Sequence, residues 1–168
     1  MESWTWNIPQ AIIFIGLQAS GKSTFYHQKL SQYVHINLDT LHTRNKERLL
    51  MEECFQSRRS FVVDNTNPTI EDRARYIKVA KEYGYEIRGY FFQSVLGDCI
   101  ARNRSRTGKA QIPDKAIAAT SNRLELPDMQ EGFDRLYFVR MVQGDFVVEQ
   151  WKVCKEILSG QSTPAKNF

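Results

Sequence analysis

Cysteine is scarce and unpatterned in this chain. Cys54, Cys99 and Cys154 are odd in number and far apart, which excludes a disulfide framework or a cysteine zinc site. Free thiols in a cytoplasmic protein are the expected state. The three histidines, His27, His35 and His42, lack metal-ligand spacing. No apolar run approaches the ~20 residues of a membrane span, so no contact with a membrane is expected. Met1-Glu2-Ser3-Trp4 is not a basic leader, and no apolar leader region follows it. Signs of disorder, collagen or repeats are also missing, since 42% of residues are hydrophobic and 25% charged. The 168 residues are expected to form one domain with a full core. Its expected extent is residues 1–158, followed by a frayed polar tail at 159–168.

What is present is a phosphate loop. Gly16, Leu17, Gln18, Ala19, Ser20, Gly21, Lys22, Ser23 and Thr24 fit the pattern G-x-x-x-x-G-K-[ST]. The two glycines let the backbone turn tightly enough to aim successive N–H groups at phosphate oxygens. Lys22 supplies a mobile ammonium for the β- and γ-phosphates, and the Ser23 hydroxyl is suited to ligate Mg²⁺. An apolar run at 11–15 reads as a buried parallel strand before the loop. Residues 23–33 read as the helix after it, whose N-terminal dipole favours anions.

Strand-like runs then alternate with helical ones. Strands are expected at 34–37, 60–64, 86–93 and 136–142, and helices at 41–57, 68–84, 95–106 and from Pro113 to before Pro127. Thr69-x-x-Asp72 is a helix-capping pattern. Gln143-Gly144-Asp145 turns the last strand toward a hairpin with 146–151. This order implies an α/β layer fold with a mainly parallel, five-stranded sheet. Trp4, Trp6 and Trp151 are expected to pack rather than to stack on bases.

In such sheets ligands bind beyond the carboxyl ends of the strands. There the sequence has the phosphate loop, then Asn37-Leu38-Asp39-Thr40, then Asp64-Asn65-Thr66-Asn67-Pro68, then an arginine-rich segment. Asp39 and Asp64 each have a plain alternative as helix caps. As chemical groups, one carboxylate can take a proton from an attacking hydroxyl and the other can help hold Mg²⁺. Net charge is +4, and residues 102–115 carry five basic side chains against Asp114 alone, which suggests an anionic partner. Arg102 and Arg106 are spaced i, i+4, so on a helix they would share a face and clamp a transferring phosphoryl group. Gly108 in the loop at 107–112 would let this element close as a lid, spanning about residues 102–113.

Together these segments resemble the kinase domains of polynucleotide 5′-hydroxyl kinases. The resemblance rests on the loop, on Ile36-Asn37-Leu38-Asp39-Thr40-Leu41, on Val63-Asp64-Asn65-Thr66-Asn67-Pro68, and on Arg102-Asn103-Arg104-Ser105-Arg106. Gln111-Ile112-Pro113 and Glu131-Gly132-Phe133 are similar to the downstream part of the same domains. It implies a three-layer phosphate-loop kinase fold with an arginine-bearing lid. It also implies ATP as donor, Mg²⁺ as cofactor and a 5′-hydroxyl nucleic-acid end as acceptor. Lys22 and Ser23 would serve ATP and Mg²⁺, Asp39 would be the general base, and Arg102 and Arg106 would bind ATP and the transition state. Asp64 would organise the acceptor side, with Asn67, or the metal. Leu38 stands where the family often has arginine, and either His42 or Arg44 would hold the acceptor phosphate. The Asp-x-Asp-x-Thr signature of an accompanying 3′-phosphatase is missing, so a kinase alone is expected. The other readings are a small-molecule or nucleotide-sugar kinase of the same architecture, and a non-catalytic nucleotide-binding module.

Overall fold

The chain order is strand, helix, strand, repeated until a final hairpin. The computed structural model describes residues 7–152. Trp4, Trp6, Cys154 and the expected tail therefore lie outside the described residues. The elements are β1 (Gln10–Ile15), α1 (Lys22–Lys29), β2 (Val34–Ile36), α2 (Leu38–Leu41), α3 (Arg44–Ser57), β3 (Phe61–Val63) and α4 (Ile70–Glu82). They continue with β4 (Glu86–Phe92), α5 (Leu96–Arg104), α6 (Asp114–Arg123), β5 (Arg135–Val142) and β6 (Asp145–Gln150). Short 3₁₀ turns occupy Gly108–Ala110 and Met129–Glu131.

The sheet order is β2-β3-β1-β4-β5-β6. The first five strands pair in parallel and β6 pairs antiparallel to β5. The sheet thus has six strands, where five were expected. A parallel strand needs a crossover, but the sixth needs only a two-residue turn. Gln143 and Gly144 supply it, both with positive φ (51° and 81°), the backbone that suits a tight hairpin.

Strand β1 is central and buried on both faces, and its side chains alternate between two cores. Ala11, Ile13 and Ile15 face the core shared with Phe55, Tyr76 and Ile77 of α3 and α4. Ile12 and Phe14 face the core beneath α1. There Phe14 meets Phe25 and Phe92 edge-on at ring-centroid distances of 5.8 and 4.9 Å. A third cluster joins Leu17 of the loop to Cys99 of α5 and Ile117 of α6. The result is three layers, with β1 delivering the phosphate loop at its carboxyl end. Cys54 and Cys99 are buried free thiols. Trp151 packs edge-on to Phe91 at 5.5 Å. No helix among the described residues is long and apolar enough to cross a membrane.

Several expected helices differ in extent, α6 among them, which ends at Arg123. The helix expected at 41–57 begins only at Arg44, because His42 has a φ of 65° and ends the separate helix α2, while the Thr43 hydroxyl accepts from Lys46 N–H at 3.2 Å and starts α3. Helix α1 stops at Lys29, and α5 stops at Arg104. Helix α4 begins at the expected Thr69–Asp72 cap, where Asp72 N–H donates to Thr69 Oγ1 at 3.1 Å.

The fully buried Arg73 of α4 ties the loop before its own helix to the connection between α6 and β5. It donates to both carboxylate oxygens of Glu131 at 2.7 and 2.8 Å, and to the carbonyls of Asn67, Pro68 and Glu125 at 3.1 Å. Removing one partner of a buried pair strands the other charge, which costs about 3–5 kcal/mol. Arg73→Met is expected to lose that much in urea unfolding. A loss below about 1 kcal/mol would show that Glu131 finds solvent instead.

Candidate active site

The phosphate loop is held in shape by its own neighbours. Gly16 N–H donates to Thr66 O at 3.0 Å, and Leu17 N–H donates to the Ser94 hydroxyl at 3.0 Å. Gly21 takes φ 99° at the start of α1. A Cβ there would sit 2.8 Å from Met141 Cε and 3.1 Å from Phe146 Cε1, so glycine is needed for both conformation and space. The first turn of α1 has no acidic side chain, leaving its positive dipole end free for an anion.

Lys22 is buried and its Nζ donates to Leu17 O at 2.6 Å and Gly16 O at 3.1 Å. Burial pushes its ammonium down to about 8, with Arg106 acting in the same direction and Asp64 and Asp39 opposing it. Beside it, a cleft of about 350 Å³ is lined by the loop, Asp39, Arg44, Asp64 and Arg106, among others. The second and third strands deliver the two acids as expected, and neither is a cap. Asn37 caps α2, accepting from Asp39 N–H at 2.8 Å. Among the described residues, nothing donates to the Asp39 carboxylate. Asp64 lies well before α4, whose cap is Thr69.

Asp64 is 3% exposed. Its Oδ2 accepts from Ser23 Oγ at 2.7 Å, His35 Nε2 at 2.8 Å and Asn37 Nδ2 at 3.3 Å. Burial alone would raise its pKa; the bonds from His35 and Ser23 and the Lys22 charge overcome this and hold it below the usual carboxylate range. Its Oδ1 is buried without a partner. An orphaned carboxylate oxygen beside a serine hydroxyl fits a divalent cation. Mg²⁺ keeps most of its shell as water and phosphate and needs only one or two protein groups. Clusters of three or more acidic, histidine or cysteine ligands are absent among the described residues.

The other expected residues divide. Arg44 lines the cleft. Its Nη1 donates to Glu47 Oε2 at 2.8 Å and to Tyr76 Oη at 2.7 Å. His42 is exposed, in its left-handed turn, and outside the cleft wall. Asn67 lines the cleft, but its amide donates to Phe14 O at 2.7 Å and ties the loop to β1. Arg102 and Arg106 do not share a helix face, because α5 ends between them at Arg104. Arg102 Nε donates to Ala19 O at 2.6 Å and braces the phosphate loop, while Arg106 faces the cleft from the loop beyond. Arg104 pairs with Asp114 at 2.8 Å. The buried Asn103 closes the base of that loop by bonding both the N–H and the C=O of Ile112.

Sequence reading missed the layer behind the cleft. Asn65 Oδ1 accepts from Leu38 N–H at 3.1 Å, and its amide donates to buried Glu47 at 2.9 Å. Tyr76 donates to the same Glu47 oxygen at 2.8 Å, and burial with Glu47 pushes its phenol up to about 12. Only the i, i+3 spacing of Arg44 and Glu47 hinted at this network. Arg123, which lines the cleft and pairs with Asp72 at 3.6 Å, left no signal.

Because Lys22 is pushed down to about 8, triphosphate oxygens replacing the loop carbonyls should raise it again, so binding takes up a proton. Without divalent cation, nucleotide affinity is therefore expected to fall by up to tenfold per pH unit above about pH 8. A fluorescent nucleotide titrated at several pH values checks this. Lys22→Met should bind weakly with a flat profile, and a native profile that is flat above pH 8 refutes the assignment.

Known proteins resemble this chain in sequence and in fold. The chain is 31% identical over 131 residues to a bifunctional polynucleotide phosphatase/kinase of Schizosaccharomyces pombe, covering 74% of this chain and 32% of that one. It is 30% identical over 156 residues to a putative bifunctional polynucleotide phosphatase/kinase of Acanthamoeba polyphaga mimivirus, covering 85% and 36%. The chain thus spans about a third of the length of these curated relatives. A gluconokinase structure from Sinorhizobium meliloti 1021 superposes with a TM-score of 0.55 at 21% identity, covering 81% of this chain and 85% of that one, which shows a shared fold. A family model described as an AAA domain matches residues 12–127, and the chain belongs to this family, with a phosphate-loop kinase fold.

Proposed function

We propose that the chain is a phosphotransferase that moves the γ-phosphoryl group of ATP to the 5′-hydroxyl end of a nucleic acid. The observation that carries this is Asp39. Its carboxylate has no donor among the described residues and lines the same cleft as the phosphate loop. A nucleotide-binding switch has no use for an acid there, whereas an acceptor hydroxyl needs a group to take its proton. The curated relatives named as polynucleotide kinases support the acceptor class.

In this reading the loop N–H groups and Lys22 hold the triphosphate. Ser23 and Asp64 would hold Mg²⁺, which supplies charge neutralisation at the β- and γ-phosphates. Asp39 accepts the proton of the attacking hydroxyl. Arg106 faces the cleft and balances charge on the phosphoryl oxygens, and Arg102 acts from behind by bracing Ala19. Arg44 holds the phosphate next to the 5′ end, its guanidinium steadied by Glu47 and Tyr76. His42 has no part in this, since it lies off the cleft wall.

Transfer of labelled γ-phosphate from ATP to a 5′-hydroxyl oligonucleotide, a 3′-nucleotide and a panel of sugars tests the reading. The oligonucleotide is expected to be the preferred acceptor. A preference for a sugar would replace this reading with a small-molecule kinase. Asp39→Asn is expected to lower turnover by ~10²–10⁴-fold with nucleotide affinity unchanged. Loss of ATP binding with intact turnover at saturation would make Asp39 a nucleotide ligand.

Arg44→Ala is expected to raise the Michaelis constant for the oligonucleotide by about tenfold or more, the worth of a charge-assisted bond, and to leave that for ATP unchanged. His42→Ala should alter neither. The reverse pattern would move the contact to His42.

A further inference from the structure

Asp64 poses a physical problem that the reaction alone does not explain. A buried carboxylate offers about four acceptor directions, and here its donors crowd onto one oxygen. Ser23, His35 and Asn37 all reach Oδ2, while Oδ1 stays buried and unpartnered. The shortest side-chain bonds are those from Ser23 and His35, at 2.7 and 2.8 Å. Asn37 is longer at 3.3 Å and shares its amide with Asp64 O at 3.0 Å.

His35 is itself locked. Its ring stacks on Tyr26 with centroids 3.9 Å apart and planes 7° apart. The Tyr26 hydroxyl donates to Tyr33 O at 2.8 Å, so that ring is fixed as well. Ser23 and Tyr26 stand on the same helix α1. One helix therefore presents both the serine that touches Asp64 and the ring that clamps the histidine on its other side. Because the ionised Asp64 can only accept, the Nε2 of His35 must carry hydrogen. The Ser23 hydroxyl likewise spends its proton on Asp64, which turns its lone pairs away from the carboxylate.

We propose that His35 is a positioning residue for the metal site: its Nε2–H pins Asp64 Oδ2, keeping Oδ1 free and Ser23 oriented for a divalent cation. This rests on the metal role assigned above to Ser23 and Asp64, and not on the acceptor. Partners that orient metal-binding carboxylates typically change metal affinity by ~10–100-fold when lost.

Two variants separate the bond from the packing. His35→Phe keeps a ring against Tyr26 and loses the donor. His35→Gln gives up the ring and keeps a donor at similar reach. The readout is Mn²⁺ binding to the full chain with a non-hydrolysable ATP analogue, followed by electron paramagnetic resonance, with metal-free nucleotide affinity and melting temperature measured alongside. His35→Phe is expected to weaken Mn²⁺ by ~10-fold or more with metal-free nucleotide affinity unchanged. His35→Gln is expected to recover to within about threefold of native. Native Mn²⁺ affinity in His35→Phe overturns the proposal. So does equal weakening in both variants together with loss of metal-free nucleotide binding, which would make His35 a packing residue only. Should His35→Phe fail to fold, a His35→Gln variant with weakened Mn²⁺ and native melting temperature would equally overturn it, and native Mn²⁺ affinity in that variant would support it. No acceptor is present, so failure of oligonucleotide transfer leaves this result standing, and failure here leaves the acceptor reading intact.

Discussion

A carboxylate that is taken out of water must be surrounded by donors, and Asp64 imposes that demand on everything near it. Desolvating an ionised acid costs several kcal/mol unless bonds and charges offset it. The donors come from two segments that are distant from Asp64 in sequence: Ser23 from α1, and His35 and Asn37 from β2 and the residue after it. Satisfying Asp64 therefore sets the loop helix, the second strand and the third strand in one mutual register. The parallel pairing of β2 with β3, with Ile36 opposite Val63, brings Asn37 level with Asp64. The same constraint leaves one carboxylate oxygen without a partner, and in the proposed reading that residual demand is what would draw a cation to the cleft.

A second layer holds the proposed base. Helix α2 has only four residues and could not persist on its own propensity. Asn37 and Asn65 receive its first N–H groups, and Asn65 leans in turn on Glu47, which Tyr76 and Arg44 also reach. The acid that would accept a proton is thus mounted on a short rigid turn, while its own carboxylate stays free of donors. Arg44 belongs to both systems, being one wall of the cleft and one strut of the frame behind it. A side chain so anchored loses little rotamer freedom on meeting a phosphate, which is an advantage of arginine at such positions.

The arginine segment is likewise split between bracing and contact. Because α5 ends at Arg104, Arg102 remains on the helix and grips Ala19, whereas Arg106 is carried by the following loop toward the cleft. The Asn103–Ile112 bonds close the base of that loop, so motion would be confined to the exposed residues between them. The β5–β6 hairpin seals the opposite side, with Phe146 against Phe25 and close over Gly21.

Much of this was legible in the residues alone. The phosphate loop, its strand and helix, the α4 cap, and the acids after the second and third strands follow from local patterns that act over a few residues: glycine at a tight turn, a hydroxyl at a helix start, apolar runs of strand length. The order β2-β3-β1-β4-β5-β6 was not legible, because strand neighbours are chosen by packing of whole layers. Nor was the break at His42 or the end of α5, where backbone energies of about 1 kcal/mol are overridden by tertiary contacts; the hairpin that adds the sixth strand was legible in its turn residues. Arg102 and Arg106 have the spacing of one helix face, yet only the fold decides that one braces and the other lines the cleft. His35 shows the difference most plainly. In sequence it is an isolated histidine without metal spacing; in three dimensions parallel strand pairing carries it across 29 residues of chain to within 2.8 Å of Asp64. Short-range chemistry wrote the motifs into the sequence, but the burial that turns neighbouring side chains into a working frame exists only once the layers have closed on one another.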